Sequence, residues 1–250
     1  MTTTFDFPVK LSPIKTNGVV IPHKVSVFRS DINKPIGVVS DKYSLIPHKE
    51  VIKGMRQALG TTKYEEKVEL LKDGAHMFAT YKIPGVQVEV AKGDMVALQV
   101  IARNSYDGRK AFSLTLGAFR LVCTNGMIIG REFFTFSQRH VEAGTEFNSE
   151  LLKERIGEMV SSFKGSLEDM KKMTHTQLSK NPDTLFDPEI VDLPEYLVKA
   201  AKEEYLKAKV HTVWVFYNSL TFAISHSMRK ENPKTQIKFL QRSWAMATEL

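Results

Sequence analysis

The sequence is poor in the residues that carry disulfide, redox and metal chemistry. Its 250 residues include a single cysteine, Cys123, so no disulfide can form within the chain and no Cys-x-x-Cys pair is present. No run of about 18 apolar residues occurs, so we expect no membrane-spanning helix. The opening residues MTTTFDFPVK lack a basic segment followed by an apolar one, so we expect no secretory signal. These features favour a protein of the reducing cytoplasm.

Familiar catalytic motifs are also missing from the sequence. It contains no P-loop, no GxGxxG after a strand, no HExxH and no GxSxG. None of the seven histidines lies four residues from another, which excludes a histidine pair on one helical turn as a metal site. Asp73, Asp94 and Asp107 lie in turn contexts, where aspartate is favoured for its bonds to the backbone. We therefore expect no cofactor, no resident metal and no enzymatic activity.

The first half of the chain is typical of an antiparallel β protein. Segments rich in β-branched and aromatic residues alternate with turn signals such as Lys72-Asp73-Gly74 and Thr124-Asn125-Gly126. Apolar residues at helical spacing predict one short helix near residues 48–59, ended by Gly60. Phe112 alternates with other apolar residues and is expected to face the core.

The second half is helical. From Leu152 to Met170 apolar residues recur every three or four positions, which predicts a helix of about seven turns beginning at Asn148 or Ser149. A polar loop is expected over 174–193, followed by helices over 194–209, 211–230 and 236–250, of which the second is apolar nearly all round. The prediction is thus an α+β fold. It has an antiparallel β-meander within 1–147, packed with helices within 148–250, in a single domain 1–250.

A band of basic and aromatic residues between positions 101 and 140 carries the strongest functional signal. It holds six basic residues against Asp107 and Glu132, a net charge of +4 out of +7 for the chain. Arginine binds phosphate through its planar fork, and aromatic rings stack on bases. The band predicts a nucleic-acid-binding surface made of Arg103, Tyr106, Arg109, Lys110, Arg120 and Arg131. Tyr106 would stack on a base, and the five cations would contact phosphates. The competing interpretation is an ordinary hairpin with a solvated face.

Three segments resemble one known family. They are IGVVSDKYSLIPHKEVI (36–52), NSYDGRKAFSLTLGAFRLVCTNGM (104–127) and WVFYNSLTFAISHS (214–227), followed by the terminal RSWAMATEL. The sequence RLVCTNG looks like the Arg-Val-Val-Cys-x-Asn pattern of the phage/plasmid-like proteins, domain of unknown function 932. The resemblance runs from residue 36 to the C-terminus. It implies a phage or plasmid protein in a bacterial cytoplasm, where such proteins handle DNA or interfere with host defence.

A fold-level analogy points in the same direction. The order of a short helix, hairpins with a Lys-Asp-Gly turn and a long helix is similar to that of Rad52-like single-strand annealing proteins. The first hypothesis is therefore a non-enzymatic protein that binds single-stranded DNA in recombination or replication, with a homo-oligomer as a further expectation. The alternatives are a protein that binds a host factor and a metal-dependent nuclease with Asp73, Asp94 and Asp107 as ligands.

Overall fold

The computed structural model of the chain describes residues 5–109, 111–121, 126–127, 135–138, 149–228 and 233–250. The architecture is α+β, as predicted, with strands in the first half and helices mainly in the second. The strands are β1 (Val9–Thr16), β2 (Val19–Arg29), β3 (Lys34–Ser40), β4 (Glu65–Leu71), β5 (His76–Ala91), β6 (Asp94–Ser105), β7 (Phe112–Arg120), β8 (Gly126–Met127) and β9 (Thr135–Gln138). The helices are α1 (His48–Leu59), α2 (Ser149–Gly165), α3 (Leu167–His175), α4 (Pro182–Leu185), α5 (Pro188–Val191), α6 (Glu195–Tyr205), α7 (Val213–His226) and α8 (Pro233–Glu249).

The described strands form two sheets. The first contains β1, β2 and β3 in that order, and both of its pairings are antiparallel. The second has the order β4-β5-β6-β7-β8, with β9 paired antiparallel to β7. Phe112, Leu114 and Leu116 of β7 are fully buried, which confirms that these alternating residues face inward.

A tight turn connects β1 to β2. Asn17 and Gly18 both have positive φ, at 49° and 80°. This backbone matches the two-residue hairpin turn that the sequence Asn-Gly favours, because its twist continues that of the flanking strands.

Helix α1 covers the predicted residues 48–59, but the long predicted helix is interrupted. Helices α2 and α3 are separated at Ser166, whose Oγ donates to the Ser162 carbonyl at 3.1 Å. A serine that bonds the backbone of the preceding turn, next to a flexible glycine at 165, favours such a break. The predicted loop 174–193 also contains α4 and α5. Each of these short helices begins at an Asx cap followed by proline, Asn181 and Asp187.

The chain divides into two compact units that are each discontinuous in sequence. Unit 1 contains Met1–Tyr81, Ile101–Thr115 and Thr135–Glu158. Unit 2 contains Lys82–Val100, Leu116–Phe134 and Met159–Leu250. The expectation of a single domain over 1–250 stays a prediction.

One buried cluster of unit 1 lies against one face of the three-stranded sheet. It is formed by Phe7, Val27, Val39, Tyr43 and Tyr106. Gly37 of β3 lies so close to the chain after β6 that a Cβ atom there would be 2.6 Å from the Tyr106 carbonyl oxygen. Glycine is required at this position because a side chain would collide with backbone, so β3 and the segment at Tyr106 are packed directly together.

The core of unit 2 is built around α7. This helix is apolar nearly all round, as predicted, and most of its residues are buried. It begins at Thr212, whose side chain caps the amide of Val215 at 3.3 Å. An edge-to-face contact, with ring centroids 5.4 Å apart, joins Tyr217 of α7 to Trp244 of α8.

Candidate nucleic-acid interface

Arg109 lies in the loop between β6 and β7 and is the most exposed of the predicted site residues that the structure describes. Its side chain is 75% exposed, and its Nε is 3.8 Å from Oδ2 of Asp107. Its backbone amide donates to Oδ1 of the same aspartate at 3.1 Å. Asp107 therefore fixes the backbone of the loop, while the guanidinium group of Arg109 projects into solvent.

Asp107 is held from its other side by a histidine. His76 Nε2 lies 2.7 Å from Asp107 Oδ2, and both side chains are largely covered. Burial alone would raise the pKa of Asp107. The hydrogen bonds from His76 and the Arg109 amide, together with the charge on Lys72, outweigh burial and hold the pKa below its ordinary value. The carboxylate is thus ionised at neutral pH and anchors the loop to the start of β5.

Arg103 of β6 carries a partly buried positive charge. Its Nε is buried and has no hydrogen-bond partner, and no described residue forms an ion pair with it. Burial lowers the pKa of its guanidinium group, although arginine stays charged at neutral pH. An uncompensated charge of this kind is costly in a folded protein unless an anion binds to it.

Tyr106 does not occupy the exposed position expected of a base-stacking residue. Its side chain is 1% exposed, and its ring stacks on the imidazole of His48 with centroids 3.9 Å apart. Its hydroxyl accepts a hydrogen bond from the His48 backbone amide at 2.6 Å. The expectation of a stacking role is therefore corrected: both polar and apolar parts of Tyr106 are used inside the core of unit 1.

His48 is itself fixed in one tautomer by two polar neighbours. Its Nε2 is 2.9 Å from the Gly74 carbonyl oxygen, which can only accept, so Nε2 carries the proton. Its Nδ1 then accepts from the Asn104 amide group at 3.0 Å. This buried network involves α1, β6 and the turn before β5, and it explains why the residue after β6 turns inward.

Arg120 is placed in unit 2 and already has a carboxylate partner. Its Nε and Nη2 donate to the two oxygens of Asp94 at 2.6 and 2.8 Å. Asp94 is 7% exposed and also accepts from the indole Nε1 of Trp214 at 2.8 Å. The phosphate contact expected of Arg120 stays a prediction, and a phosphate at its guanidinium group would have to compete with this bidentate pair. Lys110 and Arg131, the other two predicted contacts, lie outside the described residues.

The three aspartates of the nuclease alternative are not gathered into one site. Asp73 pairs with Lys34, Asp94 with Arg120, and Asp107 with His76. Within the described part of the chain, no three histidine, cysteine or carboxylate side chains are grouped as a metal site would require. Each carboxylate thus serves a local structural contact.

A second basic surface, absent from the sequence-based prediction, lies on the first sheet. Residues paired across antiparallel strands point to the same side, and the register pairs Lys10 with Phe28, Ser12 with Ser26, Ser26 with Val38 and Lys24 with Ser40. We call this side the outer face, because the opposite side carries the buried Val27 and Val39. Its residues are Lys10, Ser12, Ile14, Lys24, Ser26, Phe28, Pro35, Val38 and Ser40.

The outer face is an open groove rather than a covered layer. Residues of β1, β2 and β3 line a groove of about 640 Å³. Lys10 and Lys24 are exposed, Phe28 is half-buried, and the Nζ of Lys10 lies 5.8 Å from the centre of the Phe28 ring. The alternation of lysine, serine and phenylalanine at 24, 26 and 28 is the sequence signal for this face. A period of two shows which residues share a face of a strand, but it does not show whether another element covers that face.

Among the residues that the structure describes, no helix has both the length and the hydrophobicity needed to cross a bilayer.

Comparison with known proteins identifies the family and nothing more specific. Neither the curated proteins nor the solved structures include a match to this chain. A family model described as "Domain of unknown function (DUF932)" matches residues 35–244. This range agrees with the resemblance predicted from residue 36 onward, and β1 and β2 precede it. The chain is therefore a member of the DUF932 family.

Proposed function

We propose that this chain is a non-enzymatic nucleic-acid-binding protein of a phage or plasmid. It acts in the bacterial cytoplasm and binds single-stranded DNA during recombination or replication. The formal net charge of +7 supports an acidic partner. The association with mobile elements rests on the resemblance stated above.

The observation that carries the proposal is the state of Arg103. A guanidinium group that is partly buried and forms no ion pair with any described residue loses hydration and gains no such pair in return. A DNA phosphate would supply the missing charge and bidentate hydrogen bonds. Arg103 therefore serves as the fixed anchor for a phosphate.

Arg109 extends this contact from the loop that follows β6. Its backbone is held by Asp107, and its side chain is 75% exposed with a 3.8 Å ion pair to that carboxylate, so its guanidinium group can reach a phosphate from solvent. The two arginines both belong to unit 1. Arg120, which is bound by Asp94, has no part in this site.

Titration of labelled single-stranded and duplex DNA at two salt concentrations tests the proposal. Wild type should bind single strands more tightly, with affinity falling steeply as salt rises. Arg103→Met and Arg109→Ala should each reduce the slope of log K against log salt by about 0.7. The double variant Lys53→Ala/Lys63→Ala, which removes two exposed charges on and after α1, is the control. Absence of binding by wild type at low salt, or variants that match the control, would refute the proposal.

A protein partner is the second candidate, and one observation favours it. Val19 and Val20, at the tip of the β1–β2 hairpin, are 70% and 51% exposed. Adjacent exposed aliphatic residues are more typical of a protein contact than of a phosphate contact. Affinity purification from nuclease-treated host lysate, comparing wild type with Val19→Ser/Val20→Ser, separates the two functions. A stoichiometric protein lost only with the variant would support this candidate.

A further inference from the structure

We propose that the outer face of the three-stranded sheet is a track for an extended strand of single-stranded DNA. The inference rests on the proposed function and adds a second contact surface to it, built by β1, β2 and β3. The lysines contact phosphates, Phe28 stacks on a base, and the serines between them contact base edges.

The charge of the outer face is complementary to a polyanion. Lys10 and Lys24 are exposed and form no ion pair with any described residue, and no carboxylate belongs to this face. The aspartates closest to it in sequence have other partners: Asp31 binds Arg29 through both oxygens, and Asp41 lies beside His23. Lys10 stands opposite Phe28, so Lys24 is four residues away from it along β2, about 13 Å at the usual rise. That separation places the two ammonium groups on different phosphates.

The floor of the groove suits a base between these lysines. Phe28 is half-buried, so its ring is held in place while part of it faces the groove. Ile14, Pro35 and Val38 provide apolar surface around it. Stacking of a base on an aromatic ring does not depend on the identity of the base. This fits a protein that binds single-stranded DNA without sequence specificity.

Ser26 adds a polar group that has no partner within the protein. Its Oγ is buried at the floor of the groove and makes no hydrogen bond. A hydroxyl group both donates and accepts, so it can bond a base edge once rotation of the serine side chain turns the Oγ toward the groove. Ser12, directly opposite on β1, offers a second hydroxyl at the same level of the groove.

The shape of the face selects a single strand over a duplex. The three β-strands of the sheet span about 10 Å. This is about the width of one DNA strand whose bases lie flat on the sheet. A duplex would present only phosphates to this surface and would leave Phe28 and Ser26 without contacts. The apolar residues Ile14, Pro35 and Val38 pack against deoxyribose, which carries no 2′-hydroxyl to lose its hydration there.

The outer face is largely separate from the family domain. Lys10, Lys24 and Phe28 lie on β1 and β2, before the first residue of the family match at position 35. These strands are nevertheless part of the same unit as Arg103 and Arg109, and β3 packs on the segment at Tyr106 and Asp107 through Gly37. The track and the two arginines thus belong to one packed body.

The test is binding of a labelled oligothymidylate to wild type, Lys10→Ala/Lys24→Ala, Phe28→Leu and Phe28→Tyr. Loss of two phosphate contacts should lower the salt slope by about 1.4. Phe28→Leu should weaken binding about tenfold, while Phe28→Tyr, which keeps the ring, should bind like wild type. Lys53→Ala/Lys63→Ala removes the same charge elsewhere in unit 1 and should leave the slope unchanged. Circular dichroism verifies that each variant is folded.

The outcomes separate this inference from the proposed function. One outcome would refute the track and leave the proposed function standing. In it, wild type binds the oligothymidylate, the Arg103 and Arg109 variants bind it more weakly, and the outer-face variants bind it as wild type does. Equal losses from Phe28→Leu and Phe28→Tyr would refute stacking on Phe28. Equal or tighter binding of an oligouridylate by the outer face would refute the assignment to DNA. Failure of wild type to bind any single strand would remove both proposals together.

Discussion

The ring of Tyr106 lies stacked on the imidazole of His48, with centroids 3.9 Å apart and planes inclined by 21°. The Tyr106 hydroxyl also accepts from the backbone amide of His48, the first residue of α1. Pro47, which precedes the helix, makes no side-chain cap. Tyr106 therefore supplies an acceptor for one of the free amide groups at the start of α1, and it joins the β6–β7 loop to this helix.

Tyr106→Phe should keep the stack and lose this acceptor. The amide of His48 would then be buried without a partner, so we expect the free energy of unfolding to fall by about 1–2 kcal/mol in urea titrations. Tyr196→Phe, at a site that is 53% exposed, is the matched control and should have no measurable effect. A Tyr106→Phe protein as stable as wild type would show that the hydroxyl does not cap α1.

Gly37 gives a second test of the packing around Tyr106. An alanine Cβ at 37 would lie 2.6 Å from the Tyr106 carbonyl oxygen, and backbone on both sides limits relaxation. We expect Gly37→Ala to lower the free energy of unfolding by about 1–3 kcal/mol. Gly85→Ala meets nothing within 4 Å and serves as the control, which should be neutral. Equal stability of the two variants would mean that β3 can move away from the loop.

The sequence predicted local structure better than it predicted which surfaces are exposed. Helix α1 and the burial of Phe112 follow from spacing alone, because an amphipathic helix and an alternating strand each identify an inner side. The burial of Tyr106 depends on His48, which is distant in sequence and reaches it only after folding. The same limit applies to Arg120, whose partner Asp94 is 26 residues away. The sequence around Tyr106, which follows β6, does not show that its side chain points inward.

The buried pair of Asp94 and Arg120 should contribute to stability and not to DNA binding. Asp94→Asn replaces the bidentate carboxylate of the partly buried Arg120 by a neutral amide, so we expect a loss of about 3 kcal/mol in the free energy of unfolding. Replacing both residues, as Asp94→Leu/Arg120→Met, removes the uncompensated charge and should be less damaging than Asp94→Asn alone. Trp214, which donates to Asp94, reports the change through its fluorescence.

Binding measurements complete this test. Arg120→Met should leave the salt slope for single-stranded DNA at the wild-type value, because its guanidinium is committed to Asp94. A slope lowered by about 0.7 would instead show that Arg120 contacts a phosphate, as the sequence suggested.

The contact between His76 and Asp107 should make stability depend on pH in the acid range. The folded pKa of Asp107 is lowered, so its contribution to stability is full above the unfolded value of about 4. The contribution is lost as the pH falls through the lower folded pKa. In Asp107→Asn this dependence is absent, so the gap in urea midpoint between wild type and variant should be constant near neutrality and should close below about pH 4. A gap that persists at low pH would contradict a role for the charge of Asp107.

Arg103→Met distinguishes a binding residue from a structural one. The methionine keeps much of the apolar stem and removes a charge whose Nε has no partner inside the protein. Replacing an arginine that stabilises the fold would lower the stability of the protein. Removing an uncompensated, partly buried charge leaves the stability unchanged or raises it. We therefore expect the melting temperature of Arg103→Met to equal or exceed that of wild type, while its affinity for single-stranded DNA falls and its salt slope drops by about 0.7. Arg103→Lys retains the charge without the planar fork and should recover the slope but only part of the affinity, because a lysine cannot bind a phosphate through two parallel hydrogen bonds. A lower melting temperature with unchanged binding would assign Arg103 to the core and leave Arg109 as the phosphate contact of the hairpin.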